Sequence, residues 1–173
     1  MSARQDEGGG SARVDEFLAA ARDTVAKVKN CWIVTMGAGG VPNARVVSPI
    51  PGVAQDADWT VWFLTSNGSR KAADIRADAW VTLGFQHDAD SAYAVLAGRA
   101  EIVEGRADLA NRWNADWNTV FPAGPSDPDA VFVKVEVERI ELWNLAHGVT
   151  PAPFGKRAAT LKLTAPGQWI RDA

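Results

Sequence analysis

The sequence predicts a mainly β, α+β chain: about six antiparallel strands curled into a barrel, with an N-terminal helix and short peripheral helices. Three observations predict it. Runs of β-branched, aromatic and apolar residues recur between clusters of turn chemistry, as strands do. One long strand, Ser91 to Glu104, carries Gly98 at its middle, the position of a bend or bulge by which a sheet curls. The order helix, hairpin, strand, helix, hairpin, helix, strand also leaves few helices to cover a sheet, so a barrel is the economical way to bury it.

Met1 to Gly10 is polar and Gly-rich and reads as a disordered tail ahead of a single domain over residues 11–173. Val14, Phe17, Leu18, Ala21, Val25 and Val28 recur at three- and four-residue spacing, which predicts an amphipathic helix over Ser11 to Lys29. Cys31 to Met36 reads as a strand, Gly37 to Gly40 as a hairpin loop and Val41 to Ser48 as the returning strand. The loop is no dinucleotide fingerprint, because no third glycine falls at the required spacing and Pro42 stands where a helix would have to begin. Breakers crowd Pro49 to Asp58 into a loop.

Trp59 to Thr65 is an unbroken strand, Ser66-Asn67-Gly68 a turn, Ser69 an N-cap, and Arg70 to Asp78 a helix that turns Ala72, Ala73 and Ile75 to a core. Trp80 to Gln86 is a strand that turns through His87 to Asp90 into the long strand Ser91 to Glu104. Asp108 to Asn118 has helical spacing, and three prolines and a glycine make Phe121 to Asp129 irregular. Ala130 to Leu145 is the last long strand: Val131, Val133, Val135 and Val137 share one face, and Phe132, Lys134, Glu136 and Glu138 form a mostly polar, solvent-facing one. Arg157 to Leu163 reads as a short edge strand.

Composition bounds the function. With 173 residues and 47% hydrophobic content the chain supports one good core. Its net charge of −3 comes without like-charge blocks, which argues against a nucleic-acid footprint. No run is long and apolar enough for a membrane span and no secretory pattern opens the sequence, so a cytoplasmic protein is expected. Cys31 is alone, so no internal disulfide or cysteine-based zinc site is expected, and it reads as a small buried hydrophobe. Eight tryptophans suit an interface or a flat ligand to cover.

The concentrated chemistry lies between Trp59 and Ala79. A strand delivers the chain to a helix start bearing a hydroxyl, Ser69, and two cations, Arg70 and Lys71, where unpaired N–H groups and the helix dipole favour an anion. Read alone, the three residues also fit a capped helix with solvated surface cations.

In context, Arg45-Val46-Val47, Phe63-Leu64-Thr65-Ser66 with Ser69-Arg70-Lys71, Gly98-Arg99-Ala100, the Trp117 to Asp129 segment and Glu141-Leu142-Trp143 resemble the pyridoxamine 5′-phosphate oxidase-like family of FMN-binding split barrels, in its general stress protein branch. The resemblance implies that Arg45 and Lys71 grip the FMN phosphate with Ser69 and Arg70 assisting. It implies further that Val46, Val47, Ser48, Leu64, Thr65 and Ser66 contact the ring or ribityl chain, largely through backbone. Tyr93 stands where the oxidases use a Gln and Trp143 where they use a Trp, both reaching the flavin from the partner subunit, so a homodimer with flavin at its interface is implied.

Hydride transfer is the flavin's own chemistry, and no catalytic acid, base or nucleophile of the protein is required. No metal site is expected. Because Asn144 to Phe154, the segment after Trp143, lacks the Arg and His pattern of the vitamin B6 oxidases, the expectation is an FMN-dependent oxidoreductase of unnamed substrate and reductant. A non-catalytic flavin binder or carrier, or a cofactor-less or haem-binding barrel dimer, are the alternatives, and Tyr93 leaves FAD and deazaflavin open beside FMN.

Overall fold

The computed structural model describes residues 6–51, 59–149 and 158–172. In chain order the elements are α1 (Asp6–Lys27), β1 (Cys31–Met36), β2 (Pro42–Val47), β3 (Thr60–Ser66), α2 (Arg70–Ala77), β4 (Trp80–His87), β5 (Ala92–Val103), α3 (Arg106–Arg112), β6 (Ala130–Asn144), β7 (Ala159–Ala165) and β8 (Gln168–Asp172). Short 3₁₀ turns at Ala38–Gly40, Asp88–Asp90, Ala115–Thr119 and Gly124–Ser126 link them. None of the described helices is long and apolar enough to cross a membrane.

Every strand pairing is antiparallel, in the order β2-β1-β4-β5-β6-β7-β8. β6 is long enough to serve two partners on one edge: Ala130 to Glu136 pairs with β3, and Arg139 to Leu142 pairs with β7. Its other edge runs along β5. Past the end of β2, Pro49 bridges Phe63 of β3, and the Ile50 N–H donates to the Trp62 carbonyl at 2.8 Å. That contact closes a six-membered ring, β2-β1-β4-β5-β6-β3, so the expected barrel of about six antiparallel strands is present and the β7–β8 hairpin is added to it.

Alternation fills the ring. Ile33, Val61, Phe63, Val81, Leu83, Phe85, Leu96, Val133, Val135 and Val137 are all buried in one cluster. α1 closes one side of this core with Phe17, Leu18, Ala20 and Ala21. Its buried Thr24 donates to the Ala20 carbonyl and accepts from Asn144 Nδ2 at 3.0 Å, which satisfies the polar atoms the packing buries. Cys31 is buried as expected, and burial pushes its thiol up to about 12, which makes it a poor nucleophile at neutral pH.

Several boundaries differ from the sequence reading. α1 starts at Asp6, so the tail expected over residues 1–10 is helical from there, and residues 1–5 lie outside the described residues. Once nucleated, a helix gains a backbone bond per added residue, and this carries it through Gly8 to Gly10 at about 1 kcal/mol per glycine. The helix expected over Asp108 to Asn118 breaks after Arg112, because the Asn114 side chain accepts from Asp116 N–H at 3.0 Å and caps a separate turn. Phe132, expected on the wet face of β6, is fully buried in a second cluster with Leu109, Phe121 and Ala130, against Trp62, Leu64, Trp113 and Trp117. The α3 segment covers that end of the sheet. β8 went unread because its residues are mostly exposed and lack a period-two apolar pattern. Of the loop expected over Pro49 to Asp58, residues 52–58 lie outside the described residues, as does Arg157 of the expected edge strand.

Gly98 marks a register shift in the β5–β6 pairing, as its place in the long strand predicts. A Cβ there would overlap the Glu136 carbonyl oxygen, so the close backbone approach at this bend requires glycine. Gly98→Ala is expected to cost about 2 kcal/mol and lower the melting temperature by roughly 4–8 °C. A thermal melt that leaves the midpoint unchanged contradicts this account of the bulge.

Candidate functional site

At one end of the barrel the β3–α2 connection is built as a rigid turn. Ser69 caps α2, its Oγ accepting from Ala72 N–H at 3.3 Å. Asp129, read from sequence as a loop residue, clamps the turn: its Oδ1 accepts from Gly68 N–H at 3.1 Å and its carbonyl from Asn67 N–H at 2.6 Å. The Ser66 hydroxyl and the Gly68 amide hold the Asp129 carboxyl below the usual carboxylate range. Ala72 and Ile75 bury one face of α2, which leaves Arg70 and Lys71 on the side toward β2.

Arg45, Ser69, Arg70 and Lys71, with Asn43 and Ala44, line one cleft of about 270 Å³. The Lys71 ammonium donates to the buried Thr65 hydroxyl at 2.6 Å. Burial, and secondarily the charge of Arg45, push its pKa down. Arg45 Nη2 meets Asp74 Oδ2 at 3.0 Å, with the two side chains 19% and 13% exposed, so the pair is largely shielded from water. Arg45 Nη1 is buried and has no partner. Among the described residues Lys71 forms no ion pair, and Asp74 is committed to Arg45, so the cleft holds Arg45 and Lys71 close together, Arg70 beside them, and an unused buried donor. A buried donor without a partner costs about 1–3 kcal/mol, and an anion in the cleft relieves both defects.

A larger groove of about 500 Å³ lies across α1 and the 147–149 turn, where Arg13, Glu16 and His147 mix charges of both signs around Phe17. The smaller cleft is the stronger candidate on chemical grounds, since its charged lining is all cationic.

The other residues singled out from sequence divide. Val46 is exposed on the strand face opposite Arg45 and does not line the cleft, whereas Val47 turns into the barrel core and Leu64 into the second cluster. Only the main chain of those two can face a ligand on this side. Ser48 Oγ donates to Asn30 Oδ1 at 2.6 Å. Thr65 and Ser66 act through Lys71 and Asp129 respectively. Tyr93 and Trp143 pair across β5 and β6, their rings 5.0 Å apart, and neither lines the cleft. Within one chain they do not join the cleft. His87 and His147, the two histidines, sit against Asp90 and Asp23 instead.

Three residues of the site went unread in the sequence: Asp74, Thr35 and Asn43. Thr35 Oγ1 donates to Asp74 Oδ2 at 2.7 Å, and Asn43 Nδ2 donates to the same oxygen at 3.3 Å. Thr35 and Asn43 are register partners on β1 and β2, and Asn43 shares a strand face with Arg45, so the period-two pattern was the available signal. Asp74, one helical turn after Lys71, is the other.

A closed antiparallel barrel with a cationic cleft at a strand-to-helix turn defines a class of site whose charge suits an anion. The chain belongs to the pyridoxamine 5′-phosphate oxidase like family, whose model matches residues 16–164. No curated protein matches it. Among solved structures it is similar to a protein of Clostridium acetobutylicum related to general stress protein 26 of B. subtilis, with a TM-score of 0.70 and 21% identity over 86% of this chain and 96% of that one. A pyridoxamine 5′-phosphate oxidase-related, FMN binding protein of Nostoc punctiforme aligns with a TM-score of 0.64 and 14% identity, covering 94% of each chain. A heme binding protein of Mycobacterium smegmatis aligns with a TM-score of 0.61 and 16% identity, over 84% of this chain and 57% of that one. These likenesses share the split-barrel fold.

The lowered pKa of Lys71 has a sign that can be tested. Its charged form is disfavoured in the folded chain, so the ligand-free protein gains stability as pH rises through the folded pKa toward the ordinary value of 10.5. Lys71→Met is therefore expected to raise the melting temperature of ligand-free protein at neutral pH, by a margin that shrinks toward that pH. A variant that melts at or below the parent temperature contradicts the crowding of these cations.

Proposed function

We propose that the chain binds FMN, with the phosphate seated between Arg45 and Lys71, and works as an FMN-dependent oxidoreductase of the pyridoxamine 5′-phosphate oxidase-like, general stress protein type. The observation that carries this reading is the buried, unpartnered Nη1 of Arg45 in the same cleft as Lys71. A phosphate dianion matches that donor set, and each charge-assisted bond to it contributes about 1.5–3 kcal/mol. FMN, when bound, supplies hydride chemistry at its flavin ring.

The chain's own residues bind and orient. Arg45 and Lys71 hold the phosphate, Ser69 keeps the α2 N-terminus in place beside it, and Arg70 adds charge at the rim. Val46 offers an exposed apolar side chain along the strand, and Val47, Ser48, Leu64, Thr65 and Ser66 offer main-chain groups for ring and ribityl contacts. Tyr93 and Trp143 reach the ring from a second copy in this reading. Homodimerisation is supported by Trp32 and Val46, paired across β1 and β2 and each 53% exposed on the outer face of the sheet. FMN is favoured over haem because both histidines face carboxylates and lie outside the cationic cleft.

The absorption spectrum of purified protein and a calorimetric titration with FMN test the reading. Flavin bands, and a 10- to 100-fold loss of FMN affinity in each of Arg45→Ala and Lys71→Ala, are expected, roughly 1.5–3 kcal/mol apiece. Protein that ignores FMN, or that carries a haem absorption band instead, overturns it. Anaerobic addition of NADPH or NADH is expected to bleach the bound flavin, and flavin that neither one bleaches points to a carrier in place of an oxidoreductase.

A further inference from the structure

We infer that Asp74 is the positioning residue of the anion cleft, holding the Arg45 guanidinium so that its Nη1 edge presents to the phosphate. The inference rests on the FMN reading above and adds a residue to it. Arg45 projects from β2, an end strand of the sheet path, and an arginine side chain in such a place samples many rotamers unless something fixes it. Asp74 fixes it from the opposite wall. Its Oδ2 accepts from Arg45 Nη2 at 3.0 Å, from Thr35 Oγ1 at 2.7 Å and from Asn43 Nδ2 at 3.3 Å. A single carboxylate oxygen thus ties β1, β2 and α2 together around one guanidinium.

The two ends of that guanidinium then have different fates. Nη2 is consumed by the carboxylate, and Nη1 is buried with no partner. A guanidinium held at one edge and unsatisfied at the other is pre-organised for a ligand, and the ordering entropy is lost on folding and not on binding. The carboxylate is itself held ionised, first by the Thr35 hydroxyl and then by Arg45, so it stays charged across the pH range in which a phosphate monoester is bound. The opposing possibility is that the negative charge only repels a phosphate. In that case removing it would tighten binding.

The test is a double-mutant cycle on flavin-stripped protein, with FMN affinity read by quenching of flavin fluorescence. Asp74→Ala is expected to weaken FMN about tenfold in the parent chain and to have no further effect in the Arg45→Ala background, because it acts through Arg45. Asp74→Asn, which keeps an acceptor oxygen and the side-chain shape, is expected to retain more of the affinity than Asp74→Ala and serves if the alanine variant does not fold. Equal weakening by Asp74→Ala in both backgrounds, or tighter binding in the parent chain, overturns the inference.

A parent protein that binds no FMN overturns the flavin reading separately. The positioning role is then read with inorganic phosphate as the probe, by ¹⁵N NMR of the arginine side chains. One guanidinium signal, assigned by its absence in Arg45→Ala, should be ordered in the parent, should shift with phosphate, and should lose both properties in Asp74→Ala and part of both in Asp74→Asn. An Arg45 signal that is unchanged by Asp74→Asn overturns the inference.

Discussion

The closure of the barrel between β2 and β3 is the constraint on which the rest depends. Those strands follow one another in the chain, yet β2 ends the pairing path and β3 branches from it at β6, and they meet through Pro49 and Phe63 and the hydrogen bond from Ile50 to Trp62. Counting outward antiparallel from that pair, Arg45 lies four residues one way and Asn67, in the turn that starts α2, four residues the other. Closure therefore sets the β2 cation opposite the helix that carries Lys71. β6 makes closure possible, since only a strand of 15 residues can hold β3 and β7 end to end on one edge while β5 runs along the other.

Placing two cations at one point opposes stability, and the structure shows how the cost is contained. Asp74 neutralises Arg45 and is supported by Thr35 and Asn43, so the carboxylate is never an isolated charge. Lys71 receives only a neutral hydroxyl. The result is a site in which Arg45, Lys71 and, at the rim, Arg70 are met by the single carboxylate of Asp74. Strain retained at a binding site and absorbed by a well-packed core is a recurrent pattern in proteins. Here the core that absorbs it includes Phe63, Leu83 and Val133, all fully buried.

How much of this was legible in the sequence follows from how local each feature is. The strands with strict alternation, such as Trp59 to Thr65 and Val131 to Val137, were readable because one face of each lines the core. Phe132 was not, since its burial depends on α3 and the tryptophans folding over that end of β6. β8 left no signal because it packs as an exposed edge. In the site, Ser69, Arg70 and Lys71 could be read as one unit since a strand, a turn and a cap adjoin in sequence. Asp74, Thr35 and Asn43 could not, because their convergence on Arg45 requires the β1–β2 register and the docking of α2 together. The pairing of Tyr93 with Trp143 likewise depends on a β5–β6 register beyond the Gly98 bulge.

The central claim is that a phosphate group, and not a flat ring alone, is what the cleft recognises. Comparing the affinities of FMN and riboflavin for the same flavin-stripped protein tests this most directly, since the two ligands differ only in that group. The account predicts that FMN binds at least about 100-fold more tightly, the equivalent of about 2.7 kcal/mol, and that the gap narrows as salt is added. Equal affinities for the two would contradict it.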